Sequence, residues 1–131
     1  MPYNRENGGD MHKLVILIEG AESQSNFDDL WPKFLALAEQ MPGLLREATS
    51  RVDRIVFGSS SCSLIHELYF DSLEAVRQAM NSPQGLQAGQ MLQKLTRGQM
   101  TLLIADHKED ELENIRKHRL TRNGEDEKKP E

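Results

Sequence analysis

The chain has 131 residues, 16 of them basic and 21 acidic, for a formal net charge of −5, which is a single domain's length with a balance that repels nucleic-acid backbones and anionic lipid. Its one cysteine, Cys62, excludes an internal disulfide, and no apolar run approaches the roughly 20 residues that cross a bilayer. A cytoplasmic protein without nucleic-acid or membrane partners is therefore expected.

Residues 1–10 (MPYNRENGGD) are polar and lack the apolar centre of a signal peptide, so they read as a flexible arm. From His12 to Glu19 the run HKLVILIE reads as a strand. Leu14, Ile16 and Ile18 fall on one face, Val15 and Leu17 on the other, so both faces want cover. Apolar residues then recur at Phe27, Leu30, Trp31, Phe34, Leu37, Ala38 and Met41, the spacing of one helical face. Asp28 and Asp29 suit the start of that helix. Pro32 lacks an amide hydrogen, so the helix starts about one turn before it or kinks there. Pro42-Gly43 ends it.

Most of residues 45–57 reads as a strand, and its charges suit a sheet edge. Residues 58–61 (GSSS) read as a hairpin loop and Cys62–Phe70 as the returning strand. Asp71 or Ser72 caps the next helix, whose apolar face is Leu73, Val76 and Met80. Ser82-Pro83 opens a further helical segment through Leu86, Met91, Leu92 and Leu95, and Arg97-Gly98 stops it. Met100 to Ala105 is the last strand, apolar on both faces. From Lys108 to the end the chain is dense in both charges, and a solvated extension is expected.

Strand, helix, strand, strand, helix, strand over about 100 residues is most economically an α+β ferredoxin-like βαββαβ sandwich: an antiparallel sheet, first and third strands central, helices on one face. The other face is too apolar for water. A second copy of the chain would cover it, which makes the expected assembly a homodimer, a dimeric α+β barrel.

The stretch Cys62–Ala75 concentrates the chemistry, because His66 and Glu67 are ionisable groups planted in an apolar strand. A symmetric 58–61 loop pairs Phe57 with Cys62, Ile55 with Leu64 and Asp53 with His66. That register sets Asp53 beside His66 on the face under the helices, as a candidate acid–base pair or a structural hydrogen bond. Trp31, Phe34, Leu64 and Leu68 would line any cleft above it. Glu67 falls on the opposite face, diagonal to Arg54, as an expected ion pair. His12, His66, His107 and His118 show no ligand spacing, and Cys62 and His66 stand about 13 Å apart along a strand, too far to share a metal. No phosphate-cradling glycine loop or nucleophile elbow occurs. No metal or cofactor is expected.

The start HKLVIL, the turn MPGL (Met41–Leu44), the stretch ELYFDSLEA (Glu67–Ala75), SPQG (Ser82–Gly85) and the closing TLLIA together resemble the EthD-like family of dimeric α+β barrel proteins, over residues 11 to about 107. The resemblance implies a ferredoxin-like subunit, a homodimer, and a cleft between sheet and helices for a small, largely apolar molecule of lactone, quinone or polyketide type. Many members carry a histidine in the first helix, followed two residues later by proline. Those places hold Phe34 and Ala36 here, so no catalytic residue is carried over. Two classes follow: a cofactor-independent enzyme using His66 as general acid or base, or a non-catalytic homodimer that binds a hydrophobic metabolite or serves in assembly. A cleft joining His66 to solvent separates them.

Overall fold

The computed structural model describes residues 11–23 and 26–113. The expected N-terminal arm and most of the charged extension lie outside these residues. Met11–His107 forms one compact unit, with elements β1 (Met11–Glu19), a 3-10 turn (Ala21–Ser23), α1 (Phe27–Ala38), β2 (Arg46–Arg51), β3 (Cys62–Phe70), α2 (Leu73–Asn81), α3 (Pro83–Thr96) and β4 (Met100–His107). The sheet is antiparallel in the order β2-β3-β1-β4, so β1 and β3 are central. This is the ferredoxin-like α+β arrangement, with the second helix divided in two.

Period-two alternation in the central strands decides the layering. Leu14, Ile16 and Ile18 of β1 and Leu64, Leu68 and Phe70 of β3 pack with Phe34 and Ala38 of α1, Val76 and Ala79 of α2, and Ala88, Leu92 and Leu95 of α3. Each large side chain so buried stabilises the fold by about 1.5–3 kcal/mol relative to exposure. The odd-numbered residues of β1, Val15 and Leu17, share the other face of the sheet with Ile65 and Leu103, which are their cross-strand neighbours in β3 and β4. Leu103 is 46% exposed there.

α1 begins at Phe27, just over a turn before Pro32, and the proline lies inside it. Asn26 stands at the cap position without a side-chain capping bond, and Asp28 and Asp29 fill the first turn, where carboxylates suit the helix dipole. α2 is capped by Ser72, whose Oγ accepts from the Ala75 amide at 3.0 Å. Ser82 serves two helices: its hydroxyl donates to the Ala79 carbonyl at 2.6 Å and accepts from the Gly85 amide at 3.0 Å. Pro83 follows as the first residue of α3, where its missing N–H loses nothing. The corner is so tight that a β-carbon on Gly85 would lie 2.0 Å from the Ala79 carbonyl oxygen. Ser82 and Gly85 thereby fix how α3 leaves α2 and lies on the sheet.

One expected strand is shorter and differently paired. β2 stops at Arg51, and residues 52–61 form the connection to β3, with Ile55, Val56 and Phe57 exposed. Thr49, not Asp53, stands opposite His66, and Arg51, not Ile55, opposite Leu64. Ten residues, 52–61, connect β2 to β3 in place of the four of the expected loop, so a symmetric 58–61 turn does not set the pairing. The slip is four residues, an even number, so every side chain keeps its face while every partner changes. Glu67 is corrected in the same way: its partner on the open face is Lys13, at 2.6 Å, not Arg54. Tyr69 donates to the other oxygen of Glu67 at 3.4 Å, and Arg46 lies over the Tyr69 ring at 4.1 Å.

Candidate functional site: a buried histidine and an apolar cavity

His66 lies in the middle of β3 on the helix-covered face and is 1% exposed. Its ring meets Trp31 and Phe34 edge to face, with centroids 5.2 and 5.9 Å away. Both nitrogens are engaged: Nε2 lies 2.8 Å from Glu47 Oε1, and Nδ1 2.8 Å from Thr49 Oγ1. An ionised carboxylate can only accept, so Nε2 carries the proton and Nδ1 accepts from the Thr49 hydroxyl. Burial pushes the pKa of His66 below the usual 6.5, more strongly than the Glu47 hydrogen bond and the charges of Glu47 and Glu67 raise it. The group is a neutral imidazole with every polar atom satisfied.

The expected Asp53–His66 pair does not form, since Asp53 lies on the exposed 52–61 connection. Glu47 and Thr49 take its place. Both were legible in principle, because a buried imidazole needs a partner at each nitrogen, and Glu47-x-Thr49 offers two polar side chains on one face of the adjoining strand.

Open space lies to either side of this network. A cavity of about 310 Å³ sits between the sheet and α3, bounded by Leu14, Ile16 and Leu68 below, Phe34 and Met41 beside, and Ala88 and Leu92 above. Its mouth is formed by Leu86, Gly89, Gln90 and Gln93 of α3 and by Leu102 of β4, all of them exposed. A smaller cavity of about 170 Å³ lies at the start of α1, where Phe27, Asp28 and Trp31 face Thr49, Arg51 and Leu64. The four residues expected to line one cleft are thus divided, Phe34 and Leu68 in the larger cavity, Trp31 and Leu64 in the smaller. His66 lines neither. It is walled off from the larger by Phe34, which belongs both to that cavity and to the histidine's aromatic surround. Among the described residues no group of three or more His, Cys, Asp or Glu could hold a metal ion, and no helix is long and apolar enough to cross a membrane.

A four-stranded antiparallel sheet in the order β2-β3-β1-β4 under three helices defines the class, a ferredoxin-like protein. No protein-family model matches the sequence. A crystal structure of an EthD (ethyl tert-butyl ether D) family protein from Bacillus halodurans is 30% identical, with a TM-score of 0.67 over 74% of this chain and 98% of that one. The chain belongs to the EthD family. An uncharacterized 11.0 kDa protein from the thcB-thcC intergenic region of Rhodococcus erythropolis is 27% identical over 97 residues, which is 73% of this chain and 94% of the relative. A dimeric ferredoxin-like protein of unknown function from Jannaschia shares the fold at 18% identity, with a TM-score of 0.59 over 76% of this chain and all of that one.

Proposed function

We propose that this protein is a homodimer that binds one small, largely apolar molecule of lactone, quinone or aromatic polyketide type in the cavity between the sheet and α3. The observation that carries the reading is the cavity itself. Its volume of about 310 Å³ is roughly twice the ~150 Å³ of a dry apolar cavity that takes up benzene, a size for one or two fused rings. Leu, Ile, Phe and Met side chains make up most of its wall, and Met41 and Met80 can adapt to the shape of a guest.

The reading is one of binding rather than acid–base catalysis. Among the described residues none of the side chains bounding the cavity titrates, and His66, 1% exposed, has both ring nitrogens engaged. Support for the dimer comes from the exposed Leu103 and the half-buried Leu17 and Ile65 on the sheet face away from the helices, and from the dimeric description of the Jannaschia protein. The unpaired Cys62 agrees with a reducing cytoplasm.

The test is calorimetric titration of the full chain with bicyclic lactones and naphthoquinones, on wild type and on Gly89→Leu. Gly89 lines the cavity and a β-carbon there meets nothing within 4 Å, so the position has room for a side chain, and leucine is chosen to narrow the mouth. Micromolar binding to wild type, weakened at least tenfold in Gly89→Leu, is expected. Equal affinity for both proteins sinks the assignment to this cavity. Light scattering after size exclusion is expected to give a dimer, and a stable monomer removes that part of the proposal.

A further inference from the structure

The walls of the larger cavity say which molecules it refuses. Among the described side chains that bound it, Leu14, Ile16, Phe34, Leu68 and Leu92 are apolar and buried, and only Gln90 and Gln93 are polar. The two glutamines are three apart on α3, so they stand on neighbouring positions of one helix face. Both are exposed at the mouth, and neither amide has a hydrogen-bond partner among the described residues. Among the described residues no lysine, arginine or histidine lines the cavity to neutralise an anion, and no aspartate or glutamate to receive a cation. A carboxylate or ammonium carried into the interior would be buried unpaired, at several kcal/mol, and one held at the mouth would be partly desolvated with no opposite charge among the described lining residues.

We infer that Gln90 and Gln93 determine specificity: the cavity takes uncharged molecules whose ring system enters the apolar interior and whose single uncharged oxygen, a carbonyl or hydroxyl, stays at the mouth against one or both amides. An amide both donates and accepts, so it serves a ketone, a lactone or an alcohol equally, but it carries no charge to offset the desolvation of a carboxylate. The inference rests on the binding reading above. It adds a charge filter and an orientation, rings inward and oxygen outward.

Three probes of one skeleton test it by calorimetry on the full chain at pH 7.5: tetralin, 1-tetralone, and tetralin-1-carboxylate. The expected order is tetralone tightest, tetralin about 3- to 10-fold weaker, and the carboxylate weaker than tetralone by at least tenfold. In Gln90→Leu/Gln93→Leu the tetralone advantage over tetralin disappears, while tetralin binds as it does to wild type. The second check is pH. Lowering the pH toward the carboxylate's own pKa strengthens its binding by nearly tenfold per unit, since the acid enters in its neutral form, while tetralone is unaffected. A carboxylate that binds as tightly as tetralone overturns the charge filter and leaves the cavity reading intact. An undiminished tetralone advantage in the double variant overturns the role of the glutamines. Failure of all three probes to bind wild type removes the cavity reading and the inference together.

Discussion

Phe34 divides two neighbourhoods that solve opposite problems. On one side His66, Glu47 and Thr49 form a polar cluster in which each hydrogen-bonding atom of the imidazole has a partner at 2.8 Å. On the other side apolar walls surround about 310 Å³ of space, with two amides at the entrance. The chemically richer group is the one closed to a ligand. A buried polar group with all its partners has nothing left to offer one, whereas apolar walls around space with free polar atoms at the rim have surface still to bury.

The largest effect is expected where the two neighbourhoods meet. Phe34→Ala removes a side chain 2% exposed and joins the cavity to the space beside His66, with a loss of about 3–5 kcal/mol in urea unfolding. If the variant still folds, it is expected to accept larger ring systems than wild type. A loss below about 1 kcal/mol would mean that Phe34 is not the partition described above.

Gly85→Ala acts on the cavity side alone. Its β-carbon would meet the Ala79 carbonyl at 2.0 Å, so α3 must move, at a cost of about 3 kcal/mol. Thermal unfolding measures this. An unchanged midpoint would show that the α2–α3 corner is slack and the cavity roof not fixed by it.

Acid separates the other side. The pKa of His66 is lowered in the folded protein, so between pH 6.5 and its folded value the unfolded chain binds a proton that the native chain does not. Stability contributed by the neutral imidazole is complete above about pH 6.5 and falls as the pH drops below it, by no more than about 1.4 kcal/mol per unit. His66→Gln, uncharged at every pH, is expected to lose this component of the acid sensitivity in urea titrations at pH 7.5 and 5.5. Its ligand affinity at pH 7.5 should stay within about twofold of wild type. An affinity that collapses with His66 would undo the separation of the two neighbourhoods.

The smallest effect is a gain. Gly89→Ala, at an exposed helical position open around its β-carbon, is expected to stabilise the chain by about 0.5–1 kcal/mol through backbone entropy alone.

Periodicity and local chemistry along the chain account for the layering and for the helix starts. Alternation in HKLVILIE and CSLIHELYF set which residues face the helices, the three-to-four spacing from Phe27 to Ala38 set the buried face of α1, and Ser72 and Ser82-Pro83 placed the helix starts. These signals rest on neighbours along the chain, and the order of elements they define gave the ferredoxin-like topology. The face of His66 was legible for the same reason, because parity survives an even slip of register. Its partners were not. Whether Asp53 or Glu47 and Thr49 meet the imidazole depends on where β2 stops and how it registers on β3, across a ten-residue connection that local sequence does not fix. The division of Trp31, Phe34, Leu64 and Leu68 between two cavities is likewise tertiary, since it depends on which gaps the packed helices leave. Gln90 and Gln93 read in sequence as ordinary solvent-facing positions of a helix. Only the lie of α3 over the sheet, fixed at the Ser82–Gly85 corner, brings their amides to the rim of an apolar space.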